Sequence, residues 1–340
     1  MLKALLPPTN HSRNHAMAFD HQSHALQTPL VHIGFPKALS SWMQKSLFKP
    51  EQGFLNVLDS LCTTISVIDP APFSFDESLC IRFIEQSLEK NNGGNNLVPV
   101  CSAEALIGNP YCGGYNAKQN ADRIKQLFPN ARILLIVREQ RQLMRSLYKT
   151  MIVWGMPHTI KRLLNPDDTS LVPQFNLDFL RFDLATAYYQ QLFGKDNVLV
   201  LPYEAFTIAP ETFTHKIFQH AGVNPTAAFK KLPWEKKVNK NQPLINLYFQ
   251  RLLNLLLSSP FNYAGLLPST EKRVHQRIKR SKKNPFPAFT NDWFEDNFRQ
   301  TVNHVFSGQF TESNTRLQQL TGLDLASYGY EISGDSHAAD

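Results

Sequence analysis

Residues 30–42 read Leu-Val-His-Ile-Gly-Phe-Pro-Lys-Ala-Leu-Ser-Ser-Trp. Leu30 to Phe35 is a short β-rich apolar run, Gly34-Phe-Pro-Lys37 is a tight turn, and Ser40 to Phe48 has helical character with Ser40 and Ser41 as cap candidates. Strand, turn and helix in this order are the layout of a phosphate-binding loop. Backbone N–H groups, the positive end of the helix dipole and the Lys37 ammonium can converge there on one anion. No G-K-[S/T] closes the loop, so it is not a Walker A sequence, and a nucleotide-dependent kinase is disfavoured. A capped helix beside a solvated lysine would use the same residues, so this stretch alone leaves both readings open.

Outward from this stretch, apolar runs at 97–101, 132–137 and 198–201 are too short for helices. Each lies beside a segment of helical period, at 76–90, 117–128, 140–153, 178–193 and 211–221. The alternation predicts an α/β domain with a parallel sheet flanked by helices and ligands bound beyond the C-terminal strand ends. From about residue 240 the pattern is wholly helical, at 244–257, 271–281, 291–306 and 312–320, which predicts a C-terminal helical extension. Residues 1–28 read as a loose tail, 29–330 as one domain and 331–340 as a polar tail, with a turn or hairpin tip at 91–96.

A second chemical motif follows the 132–137 run. Arg138 ends it, and a helix returns Ser146 eight positions later. A guanidinium and a hydroxyl at one sheet edge suit a phosphate monoester, with bidentate charge from the arginine and one more hydrogen bond from the serine. Alternatively, Arg138 pairs with Glu139 or Asp183 and Ser146 faces a neighbouring helix.

Together the two motifs resemble those of the sulfotransferases that use 3′-phosphoadenosine 5′-phosphosulfate (PAPS), whose 5′-phosphosulfate loop follows P-K-[S/T/A]-G-T-T-W. Pro36, Lys37, Ser40, Ser41 and Trp42 match, Ala38 lies within the same loop, and Leu39 stands where the family has glycine. The Arg138 and Ser146 pair is similar to the family's 3′-phosphate anchor, without departure. Ser102 to Tyr115 looks like the S-x-E-x-L-x-G-x-P segment of bacterial members. Val198 to Phe206 (VLVLPYEAF) looks like their fourth-strand motif, and Ser313-Asn-Thr-Arg-Leu to Tyr330 like their closing motif. The resemblance runs from about 30 to 330. It implies a P-loop nucleotide-kinase-like fold and a transferase moving a sulfuryl group from PAPS to a hydroxyl or amine. It further implies that Pro36 to Trp42, Arg138 and Ser146 bind the cofactor. If position 39 needs a positive φ or a close backbone approach, the leucine displaces the loop, which leaves a catalytically impaired nucleotide-binding protein on the same fold as the alternative.

Sulfuryl transfer requires the attacking hydroxyl or amine to lose a proton, so a carboxylate or histidine is expected opposite Lys37. Glu104, just after the 97–101 run, is the leading base, with capping of the next turn as its structural alternative. His32 lies within the first strand, His158 in a loop, and Glu204 reads as a structural hydrogen-bonding acid. Lys37 is placed to stabilise charge on the oxygen that bridges phosphate and sulfate. No His or carboxylate cluster has metal-ligand spacing, so no metal is expected.

Composition is consistent with this reading. At 340 residues, 42% hydrophobic and 19% charged, the chain is neither disordered nor fibrous. Its net charge of +7 suits an anionic partner. That charge is uneven, because residues 230–283 carry 13 Lys+Arg and 2 Asp+Glu, and 272–283 read as a basic helix or loop. Part of this region is expected to close over the cofactor phosphates and part to attract an anionic acceptor. Nucleic acid is not expected, since interleaved aromatics and zinc-finger or RNA-recognition signatures are missing. Trp234 reads as a packing residue rather than a cleft wall. Cys62, Cys80, Cys101 and Cys112 lack C-x-x-C spacing and read as reduced core residues in a cytoplasmic setting. The sequence has no apolar run of spanning length and no signal-like N-terminus. The acceptor stays open among glycan, lipid and small metabolite.

Overall fold

The computed structural model describes residues 28–91, 96–165, 173–234, 243–263, 265–267 and 288–333. Five parallel strands form one sheet: β1 (Leu30–Gly34), β2 (Phe54–Leu58), β3 (Val98–Ser102), β4 (Arg132–Val137) and β5 (Val198–Pro202), in the order β2-β3-β1-β4-β5. The apolar residues alternate between the two faces because the side-chain period of a strand is two. Ile133, Leu135 and Val137 enter one core cluster, and Leu134 and Ile136 enter the other. Both faces are covered, as a parallel sheet requires. After β3 the chain crosses to the other edge of β1, so connections leave β1 in opposite directions, and at such a reversal open α/β sheets form a ligand crevice.

The longer helices are α1 (Glu77–Lys90), α2 (Ala117–Leu127), α3 (Gln140–Val153), α4 (Phe182–Phe193), α5 (Pro210–Ala221), α6 (Leu244–Asn254), α7 (Ala288–Phe306) and α8 (Thr311–Thr321). The α/β sheet flanked by helices and the C-terminal helical extension are therefore as expected. The C-terminal segment folds back onto the strand ends. Asn314 accepts from Gln140 Nε2 at 2.6 Å, Ser313 donates to Asp183, and the Tyr330 hydroxyl donates to Glu204 Oε2 at 3.2 Å.

Several sequence expectations need correction. Strand β2 was missed, because Phe54-Leu-Asn-Val-Leu58 is short, carries a central asparagine, and gains its identity only by pairing with β3. The expected helix at 178–193 divides. Asn176 accepts from the Asp178 N–H to start a 3₁₀ turn, and Arg181, at φ −83° and ψ 82°, breaks it before α4. The helix expected at 244–257 ends at Asn254, where the Asn262 amide donates to the carbonyls of Asn254 and Leu255. Ser40 and Ser41 are not caps. They lie inside the helical turn Ser40–Trp42, and Leu39 occupies the cap position without a side-chain hydrogen bond. All four cysteines are free, but only Cys80 and Cys101 are buried. Residues 1–27 of the expected tail 1–28, 92–95 of the expected turn 91–96, the helix at 271–281, the basic run 272–283 and residues 334–340 of the expected tail 331–340 lie outside the described residues.

Candidate functional site

The loop after β1 is held in an uncommon backbone conformation. Lys37 has φ 63° and Leu39 φ 69°, both left-handed, where an L side chain costs about 1–2 kcal/mol. Position 39 thus needs the positive φ that glycine supplies freely. Leucine is held there because its half-buried side chain packs on the cluster of Trp42, Met43 and Phe206, and because its carbonyl accepts from the N–H groups of Trp42 and Met43 at 2.9 and 3.1 Å. Pro36 and Ala38 are buried in the turn. Trp42 supports the loop from below: it is 2% exposed, its indole N–H donates to the Pro233 carbonyl at 3.1 Å, and its ring lies 5.9 Å from that of Trp234. Trp234 is accordingly a packing residue, as expected. Ser40 Oγ is buried with no hydrogen-bond partner among the described residues.

Arg138 reaches this loop from the end of β4. Its Nη1 donates to the Lys37 carbonyl at 3.0 Å, and its guanidinium sits 4.6 Å over the Tyr203 ring, so two segments 101 residues apart meet at one sheet edge. Arg138 Nε is buried and has no hydrogen-bond partner among the described residues. The structural alternatives for Arg138 are not realised. Glu139 caps α3 by accepting from the N–H groups of Arg141 and Gln142, and Asp183 is bound to Ser313 and Arg316. Ser146 lies about two turns into α3, half-buried, and makes no hydrogen bond to Arg138 among the described residues.

Burial holds the Lys37 ammonium below its usual pKa, a trend that Glu104 opposes and Arg138 reinforces, so these three charges share one field. Glu104 opens a 3₁₀ turn (Glu104–Ile107) directly after β3. It passes close to β1 because residue 34 is glycine: at φ +122°, a Cβ on Gly34 would lie 2.8 Å from the Glu104 carbonyl oxygen. Glu104 also acts on Tyr111, whose hydroxyl burial pushes up to about 12, and the Tyr111 ring packs edge-on to Phe261 at 5.3 Å. Thus Lys37, Glu104 and Arg138 come together, with Ser40 at the same loop.

The remaining acids and histidines serve the frame. Glu204 accepts from the Glu139 N–H and the Tyr330 hydroxyl, as expected of a structural acid, and burial raises its pKa. His32 is fully buried, shares a 2.9 Å hydrogen bond between Nδ1 and Ser102 Oγ, and is pushed down to about 3 by desolvation. Sequence reading missed Tyr203 beneath Arg138, Tyr111 beside Glu104 and Arg145. Burial chiefly lowers the Arg145 pKa, and Arg145 also feels the charge of Arg138. The aromatic directly after β5 could have signalled Tyr203; nothing local marks the other two. Among the described residues no group of three or more His, Cys, Asp or Glu could hold a metal ion. No described helix is long and apolar enough to cross a membrane.

A five-stranded parallel sheet in this order, with cationic and hydroxyl groups gathered where β1 and β4 end, defines an α/β protein with a candidate anion site. Residues 115–227, about a third of the chain, match the model of the sulfotransferase family. No curated protein matches the sequence. Among solved structures, similarity is found to a sulfotransferase from Alicyclobacillus acidocaldarius, at 15% identity over 67% of this chain and 95% of that one, with TM-score 0.45. The sulfotransferase domain of the curacin biosynthetic pathway is similar at 10% identity over 83% and 98%, TM-score 0.38. Mouse sulfotransferase SULT7A1 complexed with PAP is similar at 12% identity over 87% and 91%, TM-score 0.37.

Proposed function

We propose that the protein is a PAPS-dependent sulfotransferase. The observation that carries this reading is the 3.0 Å hydrogen bond from Arg138 to the Lys37 carbonyl, which unites the loop and the strand-end arginine in one anion site. The residues fit such a ligand: Arg138 Nε and Ser40 Oγ are buried polar atoms without protein partners among the described residues, and a half-buried lysine stands beside them. PAPS supplies the sulfuryl group when bound.

Lys37, Ser40 and Ser41 hold the 5′ end, with Pro36, Ala38 and Leu39 shaping the loop and Trp42 supporting it. Arg138 and Ser146 anchor the 3′-phosphate, and the Tyr203 ring supports the guanidinium at 4.6 Å. Glu104 takes the proton of the acceptor hydroxyl or amine as it attacks, and Lys37 stabilises the negative charge left on the departing phosphate oxygen. The acceptor is a glycan, lipid or small metabolite. A cytoplasmic setting suits the four free thiols. Calorimetric titration with adenosine 3′,5′-bisphosphate tests the assignment, with saturable binding expected, and no detectable heat or binding would overturn it.

The second reading, a nucleotide-binding protein impaired in turnover, draws on Leu39 at φ 69°. It is separated from the first by turnover of PAPS after bisphosphate binding has been established.

A further inference from the structure

Tyr111 belongs to the same braced segment as Glu104. After the Glu104–Ile107 turn the Gly108 N–H donates to the Ala105 carbonyl at 3.0 Å, and the Asn120 amide on α2 donates to the carbonyls of Ala105 and Leu106, each at 3.3 Å. Asn109 then starts a second 3₁₀ turn, Pro110–Cys112, by accepting from the Tyr111 N–H at 2.9 Å, while its own N–H donates to Asn116 Oδ1 at 2.8 Å. Two consecutive short turns fastened to α2 and its cap residue leave residues 104 and 111 little freedom to move apart.

The Tyr111 ring is held from the other side as well. Phe261 meets it edge-on, with ring centroids 5.3 Å apart and planes at 87°. Phe261 is in turn fixed just beyond the end of α3, because its N–H donates to Ser259 Oγ at 3.2 Å and Ser259 Oγ donates to the Gly155 carbonyl at 3.0 Å. That approach needs glycine at 155, where a Cβ would lie 2.3 Å from Ser259 Cβ. Elsewhere the hydroxyls of Tyr148 and Tyr330 donate to protein acceptors, the His158 carbonyl and Glu204. The Tyr111 hydroxyl has no protein hydrogen-bond partner among the described residues, although the residue is half-buried and the charge of Glu104 acts on it. A half-buried hydroxyl without a protein partner, on the same braced segment as a carboxylate base, is a group left for a ligand.

The shape of the pair indicates the ligand. Two aromatic rings at right angles form a corner that takes a flat apolar body, against the face of one ring and the edge of the other. A polyol would instead bring several hydroxyls to two hydrocarbon rings. We propose that Tyr111 is a specificity-determining residue that selects a hydroxyl acceptor carried on a flat apolar ring, such as a phenol, with Phe261 as the second wall. This inference rests on the sulfuryl-transfer reading and narrows its acceptor. The acceptor oxygen accepts a hydrogen bond from the Tyr111 hydroxyl and gives its proton to Glu104. It forms the new bond to sulfur as the bond from sulfur to the phosphate oxygen breaks, with that electron pair left on the phosphate oxygen. Tyr111 keeps its own proton throughout, since burial pushes its pKa up to about 12.

The test offers 2-naphthol and N-acetylglucosamine to the full chain, first in calorimetry and then with PAPS in steady-state turnover. The naphthol should bind and be sulfated, and the sugar should do neither. Tyr111→Phe, which keeps the ring, should raise the KM for 2-naphthol ~10-fold while kcat falls much less and affinity for adenosine 3′,5′-bisphosphate stays the same. Circular dichroism of the variant confirms that it is folded. An unchanged KM and affinity for 2-naphthol in the folded variant would overturn the proposal, as would preference for the sugar. So would failure of 2-naphthol to bind or, where the bisphosphate binds, to be sulfated. Binding of 2-naphthol that Tyr111→Phe weakens, without any binding of the bisphosphate, would overturn the sulfuryl-transfer reading and leave the pocket standing.

Discussion

The two halves of the candidate anion site are built by opposite means. The junction of β4 and α3 is regular: strand, arginine, a glutamate cap and a helix, with no residue at positive φ. The loop between β1 and the Ser40 turn is strained, with two non-glycine residues, Lys37 and Leu39, at positive φ. The family match at 115–227 covers the first half and stops short of the second. A charge anchored on a strand end needs only an arginine and a rigid scaffold, so it tolerates drift in everything but that residue. A loop that wraps an anion with its backbone depends on dihedrals, and each substitution must be compensated by packing, as Leu39 is on the Trp42 cluster.

The comparison breaks most visibly at the residue that faces both halves. Glu104→Gln should lower turnover by ~10²–10⁴-fold while leaving affinity for adenosine 3′,5′-bisphosphate nearly intact, measured by steady-state kinetics alongside calorimetry. Unchanged turnover would remove Glu104 from the chemistry. Next, Arg138→Ala should weaken the bisphosphate by about 10-fold to 100-fold, and a nucleotide lacking the 3′-phosphate much less. Equal losses for both ligands would mean that the arginine only props the loop through its bond to Lys37.

The foundation of the loop half is sensitive to acid. His32 is neutral in the fold, with its pKa lowered to about 3, and the smaller depression of His220, to about 4, has the same sign. Above the ordinary value near 6.5 neither state of the protein binds these protons, so they contribute nothing to pH dependence there. As pH falls below about 6.5 the unfolded chain takes up protons that the fold refuses. Stability then declines with a slope of ~1.4 kcal/mol per pH unit for His32, continuing toward pH 3. Urea denaturation across that range measures the slope, and His32→Gln should reduce it.

The smallest effect sharpens the contrast directly. At a left-handed position Leu39→Gly should be more stable than Leu39→Ala by ~1 kcal/mol, the reverse of the order inside a helix, as thermal unfolding of the two variants would show. Turnover of Leu39→Gly should remain within a few-fold of the wild type. A large gain would instead identify the natural leucine as the cause of an impaired site.

Much of the fold was legible because it is local. The strand-to-helix junctions at 30–48 and 132–153 show in the change of hydrophobic period, and Arg138 and Glu204 could be placed from their positions just after strands. What was not legible was long-range. The strand Phe54–Leu58 exists through its pairing with β3. The end of α6 depends on an asparagine eight residues beyond it. The supporting Tyr203 and the neighbours Tyr111 and Arg145 are set by which elements pack together.

By itself the sequence determined the class of the fold and marked the residues of a candidate anion site, because strand and helix periods and a lysine turn followed by an arginine strand end are written in consecutive residues. Only the tertiary structure decided that Arg138 donates to the Lys37 carbonyl and that Tyr330 closes over Glu204, contacts spanning 101 and 126 residues. It likewise decided that Leu39 is left-handed yet tolerated. Those outcomes depend on how a crossover sheet brings distant strand ends to one edge and on the packing that offsets backbone strain, and neither is encoded in any local stretch of the chain.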